Sequence, residues 1–181
     1  MLAADTALLV VDMQERLLGV IPQAGRIVWN CRRLIDGARI LGVATAATEQ
    51  NPGKLGATAA ALTQRLSAQA VAKMTFSCGE CGGIFAEWRT AGIERVLVAG
   101  IESHVCVQQT VLDLLAAGYQ AYVAADAVGA RGAIDHEIAL RRMESSGAVI
   151  TTTEAALFEW CGVAGTDEFR QISALAKEAA P

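Results

Sequence analysis

Three residues of different chemistry stand at the ends of apolar runs: Asp12 after "LLVV", Lys73 after "VA", and Cys106 within "GIESHVCVQQTVLDLL". A carboxylate can carry a proton, an ammonium can hold negative charge in place, and a thiol can attack a carbonyl. Gathered in a partly dry pocket, each shifts the protonation of the others. Singly, each has a plainer reading. A strand-end Asp caps the segment that follows it, a Lys snorkels to the surface, and a small thiol fills a core. Cys106 gains most from its position, where an apolar strand gives way to a helix with Ser103 as the expected cap. The positive end of a helix and its unpaired N–H groups favour thiolate, so Cys106 is expected to alkylate well below the free-cysteine pKa of about 8.5. The same N–H groups can receive the oxyanion of a tetrahedral intermediate.

The three residues meet only if the chain folds as repeated βα units. Short apolar runs, "ALLVVD" (7–12), "VATAAT" (43–48), "AVAK" (70–73), "RVLVAG" (95–100), "AYVAAD" (121–126) and "AVITT" (148–152), alternate with longer segments of helical period. This pattern predicts six strands in a parallel sheet covered on both faces. Ile27, Cys31, Leu34, Ile35 and Ala38 fall on one helical face, and so do Val107, Val111, Leu114 and Leu115 before Gly118. A third crossover helix is expected over 134–146, and a short helix after the sixth strand, with the threonines before Glu154 as its cap and Gly162 as its stop. The tail places Phe169, Ile172, Leu175 and Ala176 on one side, ready to pack on the domain or on a neighbouring subunit.

In such sheets ligands collect outside the carboxyl ends of the strands, where the strand order reverses. Asp12, Thr48-Glu49-Gln50, Lys73, the stretch from Gly100 to Cys106, and Asp126 are the residues predicted there. Glu49, Gln50, Phe76 and Cys78 leave strand ends in loops and are candidates for the substrate pocket. Arg131 reads as a surface ion-pair partner or a carboxylate ligand. His104 receives no catalytic role, because adjacent residues at a helix start point in different directions.

Composition narrows the classes. The 181 residues suit one domain spanning 1–181, and 53% hydrophobic against 19% charged residues allows a large core. Every apolar run is interrupted well short of the ~18–20 residues that a spanning helix needs, so no membrane partner is expected. The N-terminus lacks a basic region ahead of its apolar run, which points to a cytoplasmic protein. A net charge of −4, with no cluster of Lys and Arg, argues against nucleic acid. Five cysteines, Cys31, Cys78, Cys81, Cys106 and Cys161, are expected as reduced thiols. Cys78 and Cys81 form a C-x-x-C without a second ligand pair, so two small residues in a Gly-rich loop are preferred over a zinc or redox site.

Taken together, "LLVVDMQ" with Asp12, "VAKMTFS" with Lys73, and "GIESHVCVQQTVLDLLAAGYQAYVAADAVGAR" with Cys106 resemble the isochorismatase-like cysteine hydrolases over nearly the whole chain. "TEQNPGKLG", "GIESHVC" and "ALRRMESSGAVITTTEAAL" look most like the subgroup of isochorismatase domain-containing proteins. The resemblance implies an α/β fold: a three-layer αβα, Rossmann-like arrangement with a six-stranded parallel sheet in the order 3-2-1-4-5-6. It implies Asp12 as general base and acid, Lys73 as charge stabiliser and Cys106 as nucleophile, with a cis peptide at Ile101-Glu102 and oxyanion donors on Val105 and Cys106. It also implies a homo-oligomer, a dimer, tetramer or larger. Metal-binding nicotinamidases of the family carry an Asp-x-His-x-x-His stretch where this chain reads "TEQNPGKLG", so no metal and no cofactor are expected. The activity expected is hydrolysis of a small amide- or ester-like substrate through a thioester. Isochorismate-type enol ether hydrolysis, a catalytically silent interaction protein of the same fold, and a C-x-x-C oxidoreductase are the alternatives.

Overall fold

The computed structural model describes all 181 residues. Six strands, β1 (Thr6–Val11), β2 (Ala44–Gln50), β3 (Val71–Lys73), β4 (Arg95–Ile101), β5 (Gln120–Gly129) and β6 (Val149–Thr151), form one parallel sheet in the order β3-β2-β1-β4-β5-β6. Three short helices, α1 (Glu15–Leu18), α3 (Pro52–Leu55) and α4 (Ala60–Thr63), sit in the loops after β1 and β2. The longer ones are α2 (Ala24–Leu41), α5 (Gly82–Thr90), α6 (Gln108–Ala116), α7 (Ala133–Ser145), α8 (Thr153–Cys161) and α9 (Asp167–Ala176). No helix is long and apolar enough to cross a membrane.

Strand alternation decides which helix covers which face. In β1, Leu8 and Val10 pack in one core with Ile27, Cys31 and Leu34 of α2, Leu157 and Trp160 of α8, and Ile172 of α9. Ala7, Leu9 and Val11 face the other way, toward Ile84 and Trp88 of α5, Val111 and Leu114 of α6, and Ala139 and Met143 of α7. A period-two strand between two helical layers is covered on both sides; all six residues of β1 are buried, and the five after Thr6 are apolar. The threonine cap of α8 forms as expected, with Thr152 Oγ1 accepting from the Ala155 N–H. The tail helix packs on the chain itself, where Ile172 is buried and Arg33 Nε donates to the Leu175 carbonyl at 3.0 Å.

Three expectations change. Glu49 and Gln50 are the last residues of β2, in register with Ala72 and Lys73, and not loop residues. β5 runs on to Gly129, past a register shift opposite β4, so Asp126 lies inside the strand. Its Oδ1 accepts from Thr153 N and Oγ1 at 2.7 and 3.0 Å, fixing the start of α8. Helix α5 has no counterpart in the expected pattern, because "CGECGG" ahead of it reads as loop. A crossover from β3 to β4 nonetheless needs a covering element.

The strand order reverses between β1 and β4, which pair along Thr6–Val11. At their ends the two strands come unusually close: a Cβ on Gly100 stands 2.0 Å from the Val11 carbonyl oxygen, and Gly100 has φ +119°. Gly42, also at positive φ, has open space around it. Gly42→Ala should therefore cost only the left-handed strain of ~1–2 kcal/mol. Gly100→Ala adds a backbone collision and should cost clearly more or prevent folding. Urea denaturation of both variants checks this, and equal losses would contradict it.

Candidate active site

The end of β1 delivers a carboxylate into the switch point. Asp12 takes a left-handed φ of 50°, and its N–H donates to the Thr48 carbonyl of β2 at 3.1 Å. Its Oδ1 accepts from Thr48 Oγ1 at 2.8 Å and its Oδ2 from Lys73 Nζ at 2.7 Å. All three side chains are buried. Lys73 reaches Asp12 from β3, across the end of β2.

Lys73 is fully engaged. An ammonium has three N–H donors. Around this one stand four acceptors: Asp12 Oδ2, Gln50 Oε1 at 2.8 Å, and the carbonyls of Phe76 at 2.8 Å and Thr75 at 3.2 Å. Gln50 is held in turn, its N–H donating to Gln14 Oε1 and its Nε2 to the Met74 carbonyl, each at 2.8 Å. Gln14 Nε2 donates to the carbonyls of Gln50 and Gly56. The loops after β1, β2 and β3 are therefore tied to one another through polar side chains. No donor of Lys73 is left for a substrate.

Cys106 does not sit in the first turn of an α-helix. Residues Ser103–Val107 wind as a wider π turn, with the Val107 N–H donating to the Glu102 carbonyl and the Gln108 N–H to that of Ser103. π turns recur at functional sites because they re-aim side chains and loosen the backbone ladder. Ser103 is not a cap: it is buried, and its Oγ lies 3.1 Å from His136 Nδ1. The peptide bond Ile101-Glu102 is cis.

The thiol is buried, and burial pushes its pKa up from 9.0 to about 12. The nearby Asp12 carboxylate pushes the same way, while Lys73 and the Glu102 backbone pull less strongly toward thiolate. Cys106 is accordingly a neutral thiol at rest, which overturns the expected low-pKa thiolate. A helix terminus is too weak to offset desolvation plus a facing carboxylate. The Val105 N–H donates to the Glu102 carbonyl at 3.0 Å, so it is already occupied within the turn.

The remaining candidates divide. Gln50 is beside the lysine. Cys78 is buried behind Asp12, its Sγ 3.5 Å from Thr48 Oγ1, and its N–H donates to Thr110 Oγ1 of α6. It and Cys81 are free, buried thiols. Glu49 turns to the loop, accepting from Thr58 N and Oγ1 at 2.7 Å. The Phe76 ring is exposed, beside Met74 on a cleft of about 420 Å³ over the 74–80 turn, and it is the Phe76 carbonyl that reaches Lys73. Arg131 pairs with Glu102, its Nε 3.0 Å from Oε2. His104 leaves Nδ1 buried without a partner. No group of three or more His, Cys, Asp or Glu side chains is placed to hold a metal. Thr48 is among the strand-end residues expected here, whereas Gln14, Thr110 and His136 carry no such expectation from the sequence. Gln14, two residues beyond Asp12 and so on its side of an extended chain, carried a usable signal.

The family model described as Isochorismatase domain matches residues 6–155. The chain belongs to the isochorismatase family. Isochorismatase domain-containing protein 1 of Salmo salar is 36% identical over all of this chain and 64% of its own length, and its Danio rerio counterpart is 35% identical over 94% and 60%. This isochorismatase-family chain thus spans under two thirds of those relatives. Among solved structures, the MAR1 ribonuclease from Caenorhabditis elegans superposes with a TM-score of 0.92 at 36% identity, covering 100% of this chain and 94% of the other.

A thiol whose folded pKa exceeds its unfolded value stabilises the fold below the unfolded value and loses that contribution as pH rises through the folded one. For Cys106 the window runs from 9.0 to about 12. The urea midpoint of the wild type should fall across that range, and Cys106→Ala should fall less steeply. Cys31, pushed up by burial, and Cys78, pushed up by its interaction with Cys81 and then by burial, leave a residual slope. Parallel curves for the two proteins would contradict the assignment.

Proposed function

We propose that the protein is a cysteine hydrolase of small neutral amides or esters, with Cys106 as nucleophile, Asp12 as base and acid, and Lys73 as the group that fixes Asp12. The observation that carries this reading is a neutral thiol beside a buried carboxylate that is already oriented by Thr48 and Lys73. Asp12 removes the Sγ proton as sulfur attacks the carbonyl carbon, so no free thiolate is needed beforehand. The oxyanion forms near the Cys106 N–H, which makes no hydrogen bond outside its own turn, with the Val105 N–H shared between it and Glu102. Asp12 returns the proton to the departing amine, leaving a thioester. Water then gives a proton to Asp12 as it attacks the thioester, and the thiol leaves with that proton.

The charge balance of the site favours a neutral substrate. Isochorismate is a dicarboxylate, and the buried cation nearest the thiol already has an acceptor for every donor. Enol ether cleavage would use Asp12 as proton donor and would not need Cys106. The C. elegans neighbour is named a ribonuclease, yet a polyanion finds no free cation here and a net charge of −4 overall. A homo-oligomer belongs to the same proposal and is supported by Ile134 and Ile138, one turn apart on α7 and both exposed.

A hydrolysis screen over small amides, ureides, esters and isochorismate, with Cys106→Ala and Asp12→Asn as controls, tests this reading. At least one neutral acyl substrate should turn over and lose ~10³-fold or more in either variant, with a thioester adduct on Cys106 trapped by acid quench. Turnover of isochorismate alone, undiminished in Cys106→Ala, would replace it with the ether mechanism.

A further inference from the structure

The turn that carries Cys106 is held from behind by one segment of chain, the stretch from Arg131 to His136 that leads from β5 into the first turn of α7. Two contacts make the hold. Arg131 donates from its backbone N and its Nε to Glu102 Oε2, at 3.2 and 3.0 Å. His136 Nδ1 stands 3.1 Å from Ser103 Oγ. The two are unequal. The Arg131 side chain is 62% exposed, and an exposed ion pair contributes little. Ser103 is 0% exposed, its hydroxyl has His136 as its side-chain partner, and a buried hydroxyl left without one carries a full desolvation penalty. Ser103 is also the residue whose carbonyl receives the Gln108 N–H and so closes the π turn onto α6. A single π turn is a rare local geometry, and contacts from outside help to hold its shape.

We propose that His136 is a positioning residue for the nucleophile turn: through Ser103 it sets where the Cys106 N–H points, and with it the place where the substrate oxyanion is received. The proposal rests on Cys106 being the nucleophile. His136 touches no reacting atom, since its contact is with Ser103, three residues before the thiol. Burial keeps its imidazole below the usual histidine pKa, so the ring is neutral at physiological pH and one ring nitrogen can accept from the serine.

Two reagents separate aiming from mere stability. Addition of Cys106 to acrylamide builds negative charge on an amide oxygen two carbons beyond the new C–S bond, and is therefore speeded by N–H donors that the turn aims into the pocket. Displacement of iodide from iodoacetamide places no such charge there and senses only the thiol and its access. Both adducts are read by mass on the tryptic peptide 96–131, or 96–141 in Arg131→Ala, each of which contains Cys106 as its one cysteine. In His136→Ala and Ser103→Ala the acrylamide rate should fall at least ~10-fold, while the iodoacetamide rate stays within about 2-fold of wild type. His136→Asn, with an amide near the position of Nδ1, should restore most of the acrylamide rate, and Arg131→Ala should change neither rate. If His136→Ala does not fold, Ser103→Ala, which removes only the hydroxyl, carries the test. An unchanged acrylamide-to-iodoacetamide ratio in folded variants overturns the positioning role and leaves the nucleophile standing. Failure of both reagents to mark Cys106 in the wild type overturns the nucleophile, and the positioning role with it.

Discussion

The buried ion pair between Asp12 and Lys73 is the constraint around which the catalytic edge is organised. Taking both charges out of water is costly, and that cost is offset because the other protons of Lys73 and the second oxygen of Asp12 have partners. Lys73 therefore needs Gln50 and two carbonyls of the 74–76 segment, Gln50 needs Gln14, and Gln14 needs the loop at Gly56. Removing one partner of such a pair typically costs ~3–5 kcal/mol, a large part of a domain's stability. That cost explains why an ammonium can sit two strands away from the carboxylate it serves and still be held. In the proposed mechanism the lysine is therefore a group that aims the base, not one that meets the substrate.

The same pair explains the state of the thiol. A carboxylate held beside Cys106 discourages a second negative charge and at the same time offers the proton acceptor that attack requires. In the proposed mechanism the resting protein is thus protected from indiscriminate thiolate chemistry, and the proton moves only when a carbonyl is present to take the electrons. A substrate with its own negative charge would meet the carboxylate without a compensating free cation. Neutral acyl compounds fit this balance better than dicarboxylates or polynucleotides.

Much of the architecture could be read from the residue pattern, because a parallel strand covered on both faces reads as a near-continuous apolar run, and "ALLVV" and "VLVAG" leave no other reading. Helix α5 escaped because the glycines of "CGECGG" hide the start of a helix whose core contacts are Ile84 and Trp88. Asp126 misled because a strand end was placed at the first charge, whereas here the carboxylate caps α8 from within β5. At the site, Asp12, Lys73 and Cys106 were legible as residue types at strand ends, and their family resemblance joined them. The state of the thiol was not legible, since burial and the facing carboxylate are properties of the packed chain. Nor was the His136–Ser103 contact, made between residues 33 positions apart.

The central claim is that Asp12 takes the proton of a neutral Cys106 during attack. The direct measurement is the single-turnover rate of Cys106 acylation by one activated amide, followed against pH in the wild type and in Asp12→Asn. The account predicts a wild-type rate that is appreciable and level around neutral pH. In Asp12→Asn the rate at pH 7 should be far lower and should climb with pH as the thiol ionises on its own. Matching profiles in the two proteins would contradict it.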